Sequence, residues 1–184
     1  MASVVSVNVA ERGRTLDIGG HEVPTGIFKR PVDGSVQILR LGLAEDFQAD
    51  LAVHGGEAKA VYFYPREHYD YWRDAHGLAP PAFGFFGENL TIEGLLEAEV
   101  SPGDRLATGT AELEVTTPRA PCAKLGARVG SPRFVRTFFE AGRPGFYARV
   151  LREGAVRAGD AVERVSGPPG RPSIAEIFGR RAGR

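Results

Sequence analysis

The only thiol of the chain, Cys122, lies in Pro118-Arg119-Ala120-Pro121-Cys122-Ala123-Lys124-Leu125, the segment best equipped for covalent or metal chemistry. Two prolines stiffen the backbone, and Arg119 and Lys124 flank the sulfur. Nearby positive charge favours the thiolate, the form that attacks electrophiles and binds soft metals. A lone cysteine is also a common buried small hydrophobe, so the local residues leave both uses open.

Three other segments have residue types suited to an anion or a polar substrate. In His54-Gly55-Gly56-Glu57-Ala58-Lys59, paired glycines let backbone N–H groups approach an anion and Lys59 adds charge; an ordinary Gly-Gly turn fits equally well. Thr25-Gly26-Ile27-Phe28-Lys29-Arg30 combines a hydroxyl with two cations that could hold phosphate, or could be a solvated loop. Phe83-Gly84-Phe85-Phe86-Gly87-Glu88-Asn89-Leu90 places Asn89, a donor and acceptor, in what could also be a packed aromatic loop. His21, His68 and His76 lack metal-ligand spacing. No nucleophile elbow, Walker loop or dinucleotide fingerprint is present.

The elements that must carry these segments read as short strands. The 24 glycines and 13 prolines punctuate β-rich runs. Strands are predicted at 4–9, 35–41, 60–64, 89–92, 111–117, 145–151 and 161–165; Glu112-Leu113-Glu114-Val115 alternates as a half-wet strand should. Gly103-Asp104 and Gly159-Asp160 read as tight turns into antiparallel pairs. Helices are expected from about Pro65 to His76 and behind an N-cap Ser131 with Pro132 at the first position. Phe134, Val135, Phe138 and Phe139 would line one face of the latter, and Gly142 would stop it.

At 184 residues with 42% hydrophobic content the chain can bury roughly two-thirds of its surface without staples. One cysteine excludes an internal disulfide and a Cys-rich zinc or iron–sulfur site. Lys plus Arg equals Asp plus Glu at 23 each, so composition gives no support for nucleic-acid binding. No run approaches the ~20 apolar residues of a membrane span, and the N-terminus reads as a strand and not a signal peptide. The expectation is a cytoplasmic domain with a reduced thiol. From Ser166 the composition changes: 167–172 reads as a linker, followed by a capping box at Ser173–Glu176 and a short helix with Ile174, Ile177 and Phe178 on its apolar stripe. Alone it is shorter than the ~12–15 residues an isolated helix needs, so it should dock. The expected division is a domain over 1–166 with a linker and short helix over 167–184.

Together the motifs resemble the MOSC family, named for the C-terminal domain of molybdenum-cofactor sulfurase, in its YiiM-like branch. The matching stretches are Thr25–Lys29 (TGIFK), Asp50–Val61 (DLAVHGGEAKAV), Phe86–Gly94 (FGENLTIEG), Gly103-Asp104-Arg105, Pro118–Leu125 (PRAPCAKL), and Gly142–Leu151 (GRPGFYARVL) leading to Ala158-Gly159-Asp160. They cover most of residues 20–165. The resemblance implies a mostly β, MOSC-type barrel-like single domain with a few helices, binding the molybdenum cofactor, molybdopterin. It maps the molybdenum-bound cysteine onto Cys122 and the amide near the metal onto Asn89. It makes Thr25, Lys29, His54, Gly55, Gly56, Lys59 and Arg119 candidates for holding the anionic pterin. YiiM-like proteins carry a further helical region of which Pro172–Glu176 resembles the opening, whereas this sequence stops at Arg184.

The activity so implied is two-electron reduction of N-hydroxylated compounds (hydroxylaminopurine-like bases, hydroxylamines, amidoximes) to amines. Cys122 would hold the metal and Asn89 would orient the substrate. Electrons would come from an external donor protein, since no flavin, nicotinamide or iron–sulfur motif is present; neither nucleic acid nor membrane is an expected partner. Two alternatives stand beside it: a cofactor or sulfur carrier without turnover, and a cofactor-free thiol enzyme with Cys122 activated by His54 or Lys124.

Overall fold

The structure, a computed structural model, describes residues 1–49 and 55–181. Its strands are β1 (Ala2–Ala10), β2 (Thr15–Ile18), β3 (His21–Pro24), β4 (Lys29–Pro31), β5 (Val36–Leu39), β6 (Gly42–Leu43), β7 (Val61–Pro65), β8 (Leu90–Glu93), β9 (Arg105–Thr108), β10 (Ala111–Pro118), β11 (Phe146–Arg152), β12 (Gly154–Val156) and β13 (Ala161–Val165). The helices are α1 (Glu67–His76), α2 (Ala123–Val129), α3 (Phe134–Ala141) and α4 (Ile174–Arg181). All seven strands expected from the sequence are present. The added ones are short pieces of two to four residues, too brief to show a period.

Pairing in the order β13-β9-β10-β11-β7-β8-β1, with β1 returning to β13, closes a seven-stranded barrel. Closure removes the free edges of an open sheet. Among the described residues only β7 and β8 run parallel, and α1 makes the crossover between them, as a parallel pair requires. β4 extends β1 outside the ring. In β10, Leu113 and Val115 point into the barrel while Glu112 and Glu114 face out, opposite Arg152 and Arg149 of β11 at 3.0 and 2.8 Å. The two Gly-Asp turns lead into β9 and β13, which pair with each other.

The barrel interior is aliphatic, built from residues such as Val4, Ile38, Leu90, Leu113 and Val162, with the stacked pair Phe63 and Phe146 at 5.2 Å. A second, aromatic core lies outside the barrel wall, between β7 and β11 and the helices α1 to α3: Tyr62, Tyr64, Trp72, Phe86, Phe134 and Phe138.

The serine cap expected for α3 is not used. Gly130 turns left-handed at the end of α2 and Ser131 donates its N–H to the Gly126 carbonyl at 2.9 Å, closing α2 in a Schellman motif. Ser131 therefore ends one helix instead of starting the next, and α3 begins at Phe134 with Arg133 in the cap position. α2 itself was not expected, its Gly126 being a poor helix former. That glycine is closely packed: a Cβ there would lie 3.1 Å from the Ser131 carbonyl oxygen, so the following turn would have to give by a few tenths of an ångström.

The C-terminal helix docks on the barrel, with Ile174 and Phe178 buried and its capping box formed: Ser173 N–H donates to Glu176 at 2.7 Å and Glu176 N–H to Ser173 Oγ at 3.2 Å. Asp104 anchors the segment before it. Its carboxylate accepts from Gly167 N–H (2.9 Å), Ser101 N–H (3.0 Å), Arg171 (2.6 Å) and Arg164 (3.1 Å). Burial alone would raise its pKa, but these donors hold it below the usual carboxylate range.

Candidate functional site

An open cleft of about 610 Å³, counting its mouth, lies at one end of the aromatic core. Its walls come from segments far apart in sequence: Thr25 and Lys29 near β4, Lys59 before β7, Asn89 before β8, Arg119 after β10, and Cys122 and Lys124 at the start of α2. Tyr62 and Tyr147, neighbours across β7 and β11, form its back wall. Alternation explains this placement: Val61, Phe63, Phe146 and Ala148 fill the barrel, so Tyr62 and Tyr147 must face outward.

Cys122 is half-buried in extended backbone at the N-cap position of α2, and its carbonyl accepts from Leu125 N–H at 3.0 Å. Arg119 is 5% exposed, its guanidinium carbon 5.1 Å from the Phe138 ring centre and 5.7 Å from that of Tyr62. Its Nη1 is buried without a hydrogen-bond partner among the described residues. An orphaned guanidinium nitrogen beside a cleft leaves a donor directed at nothing in the protein, which is costly unless a ligand accepts from it. The Tyr147 phenol is pushed up by burial, pulled down by Arg119 and pushed up again by the Cys122 charge, with a net rise that keeps its proton on.

Lys29 and Asn89 meet on a residue with no sequence signal, Asp46. The buried Lys29 ammonium pairs with both Asp46 oxygens, Asn89 Nδ2 donates to Oδ2 at 2.7 Å, and Ala10 N–H donates to Oδ1 at 2.8 Å. The Asn89 oxygen accepts from Tyr62 N–H at 3.1 Å. Asn89 is thus fixed at both ends of its amide, with one N–H hydrogen left over. Burial lowers the Lys29 pKa, with Asp46 opposing. The Lys29 charge is matched inside the protein, so its contribution to an anion is indirect.

Thr25 accepts from Ile27 N–H at 3.2 Å, shaping the turn over the cleft. Gly26 is required there: a Cβ would lie 1.9 Å from the Phe47 carbonyl oxygen, so any side chain would displace the segment that carries Asp46 and the cleft residues Phe47 and Gln48. Gly55 and Gly56 lead into the 3-10 turn Glu57–Lys59, with Gly56 accepting from Lys59 N–H at 3.0 Å. They stand behind the cleft wall and position Lys59 without lining it themselves. His54 lies outside the described residues.

The Phe83–Leu90 segment is both an aromatic loop and a site element. Phe86 packs on Tyr64 at 4.9 Å, while Glu88 is fully buried. One Glu88 oxygen accepts from Tyr69, from Gly84 N–H (2.8 Å) and from Thr91 Oγ1 (2.8 Å), and the other has no partner among the described residues. Burial raises its pKa despite the three donors. His68 is a packed core histidine, held by Glu97 at 2.8 Å and Arg143 at 3.2 Å. Among the described residues no cluster of three or more His, Cys, Asp or Glu could hold a metal ion. No helix of the described residues is long and apolar enough to cross a membrane.

Comparison with known proteins gives this geometry a context. The model of the MOSC domain matches residues 50–163. The protein YflK of Bacillus subtilis is 42% identical over 164 residues, covering 89% of this chain and 73% of its own length. A reductase of Gibberella moniliformis is 33% identical over 161 residues, which are 86% of this chain but 28% of that protein. The crystal structure of YiiM from Geobacillus stearothermophilus superposes with a TM-score of 0.78 at 36% identity, over 97% of this chain and 82% of that one.

Proposed function

Because the chain belongs to the MOSC domain family, we propose that its cleft holds a molybdenum pterin on Cys122 and supports reduction of N-hydroxylated compounds to amines. The observation that carries this reading is the convergence of Thr25, Lys59, Asn89, Arg119, Cys122 and Lys124 on one cleft with an orphaned guanidinium nitrogen. The donor set fits the group: a soft thiolate suits a redox metal, and Arg119, Lys59 and Lys124 suit a phosphate-bearing pterin. The similarity to a reductase adds support for redox chemistry.

When bound, the cofactor supplies the two-electron redox step that no side chain here can provide. The overall change is R–NH–OH plus two electrons and two protons giving R–NH2 and water, with the electrons drawn from an external donor protein. The chain's own residues hold and orient. Cys122 Sγ provides the anchoring sulfur. Arg119, with aromatic rings beside it, offers its unpartnered Nη1 to an anionic oxygen. Asn89, fixed by Tyr62 N–H and Asp46, presents its remaining N–H to the substrate. Tyr147 retains its phenol proton within the cleft and can deliver it to the departing hydroxyl.

The test is metal analysis of protein made in a cofactor-producing host, together with turnover of hydroxylaminopurine under a chemical reductant. Cys122→Ser is nearly isosteric and should abolish molybdenum content while leaving the thermal transition equal to that of cofactor-free wild type. Full molybdenum content in that variant would end the ligand assignment. A wild-type protein that retains the metal but consumes no substrate would be a carrier instead.

A further inference from the structure

The cations of this electrically balanced chain are unevenly matched. Roughly half of the arginines among the described residues sit against carboxylates, as in Arg30–Glu11, Arg149–Glu114 and Arg152–Glu112. Two that do not are gathered around Phe28, whose chain neighbours Ile27 and Lys29 line the cleft. Arg14 and Arg128 lie on the same ring, Phe28, with guanidinium carbons 4.6 and 4.5 Å from its centre, and Arg128 is also 4.6 Å from the centre of Phe85. Neither has a carboxylate partner among the described residues. Arg128 Nε is buried with no hydrogen-bond acceptor among the described residues; burial and then the Arg14 charge weaken its hold on its proton, with Tyr69 and the Glu88 carboxylate opposing.

Two guanidinia held on one ring repel, and cation–π contacts of about 0.5–2 kcal/mol each only partly compensate. The rings fix the planar forks in place, which lowers the entropic cost of engaging a tetrahedral oxyanion by two-pronged contact. The site adjoins the cleft through backbone: the Arg14 carbonyl accepts from Thr25 N–H at 3.0 Å, and Phe28 follows cleft-lining Ile27. Arg128 lies six residues beyond Cys122 along α2, about 9 Å of helix rise. This positive pair is separate from Arg119, Lys59 and Lys124, which serve the interior.

We propose that Arg14 and Arg128, stacked on Phe28, form a phosphate-monoester site at the cleft rim, so that the molecule accepted beside Cys122 carries a phosphate group. The proposal rests on the cleft being the reaction site, and it narrows the substrate class to phosphorylated compounds such as nucleotides. The same chemistry would be met by the terminal phosphate of a pterin, and the experiment separates the two sources.

Calorimetric titration of the intact protein with adenosine monophosphate and with adenosine should show the nucleotide binding at least about tenfold more tightly, one charge-assisted contact being worth that much. The preference should weaken with salt and vanish in Arg14→Gln/Arg128→Gln. Pterin and molybdenum content of the double variant should equal wild type, as should its melting temperature. Arg14→Gln alone, at an exposed position, gives a partial loss with little risk to folding. Equal binding of nucleotide and nucleoside by wild type, or binding of neither, overturns the proposal. A double variant that loses its pterin, with no nucleotide preference in wild type, assigns the phosphate to the cofactor and also overturns it. Nucleotide preference without turnover of either hydroxylaminopurine or its nucleoside monophosphate would instead break the catalytic reading while leaving this site standing.

Discussion

The two faces of β7 and β11 are both buried, yet they are built on opposite rules. On the inner face Val61, Phe63, Phe146 and Ala148 expose no polar side-chain atom, and the barrel core they join is almost wholly aliphatic. On the outer face Tyr62, Tyr64 and Tyr147 carry hydroxyls, and the surrounding packing is threaded with hydrogen bonds. Tyr62 donates to the Pro144 carbonyl at 2.7 Å, and Trp72 donates to the Tyr64 hydroxyl at 2.7 Å. Directional bonds fix ring positions in a way that area burial alone does not. The inner face therefore specifies the barrel, and the outer face specifies where the cleft residues stand.

The largest expected effect lies on the inner face. Phe63 is fully buried and stacked on Phe146, so Phe63→Ala should cost about 3–5 kcal/mol of unfolding free energy. Ligand affinity of the fraction still folded should change little, because the lost ring belongs to the barrel core and not to the cleft lining. Urea unfolding paired with the adenosine monophosphate titration checks both halves. A variant that kept its stability but lost binding would invert the division between the faces.

Arg119 on the outer face should behave in the opposite sense. It is buried, lacks a carboxylate partner among the described residues, and leaves Nη1 unbonded. Arg119→Met keeps much of the stem and its contact with Phe138 while removing a desolvated charge. Unfolding free energy should therefore stay within about 1 kcal/mol of wild type or rise, while retained molybdenum and pterin fall sharply. A loss of several kcal/mol would mean that the cation holds the fold together and is not waiting for a ligand.

This division also explains what could be read from sequence. The barrel was legible because inner-face strands write their period into the chain: the Glu112–Val115 alternation and the Gly-Asp turns are local. The cleft segments were legible as motifs, and the structure brings Thr25, Lys29, Lys59, Asn89, Arg119 and Cys122 to one lining. The residues linking them were not. Asp46 joins Lys29, Asn89 and Ala10 across 17, 43 and 36 positions, and no local pattern marks it. Phe28 under two arginines and Tyr147 beside Arg119 likewise depend on long-range pairing, although Tyr147 lies within the motif Gly142–Leu151. Ser131 shows the converse: a cap signal that was real locally but taken by the preceding helix.

The smallest effect expected is also the most sensitive to how the outer layer balances charge. Glu88 supports that layer through Tyr69, yet one of its oxygens has no partner. Burial raises its pKa above the ordinary 4.5, so between that value and the higher native one the folded protein holds a proton that the unfolded chain has released. Stability contributed by the group is then fully present below 4.5 and is lost as pH rises through the native value. Glu88→Gln removes this dependence while keeping an oxygen for the Gly84, Thr91 and Tyr69 donors. Relative to wild type the variant should gain stability as the pH rises from 5 to 8, read by urea unfolding at the two pH values. A difference that stays constant would remove the predicted upward shift, and one that shrinks toward pH 8 would show that the carboxylate is stabilised in its charged form. The outer layer would then tolerate a buried anion as readily as it holds the buried cation of Arg119.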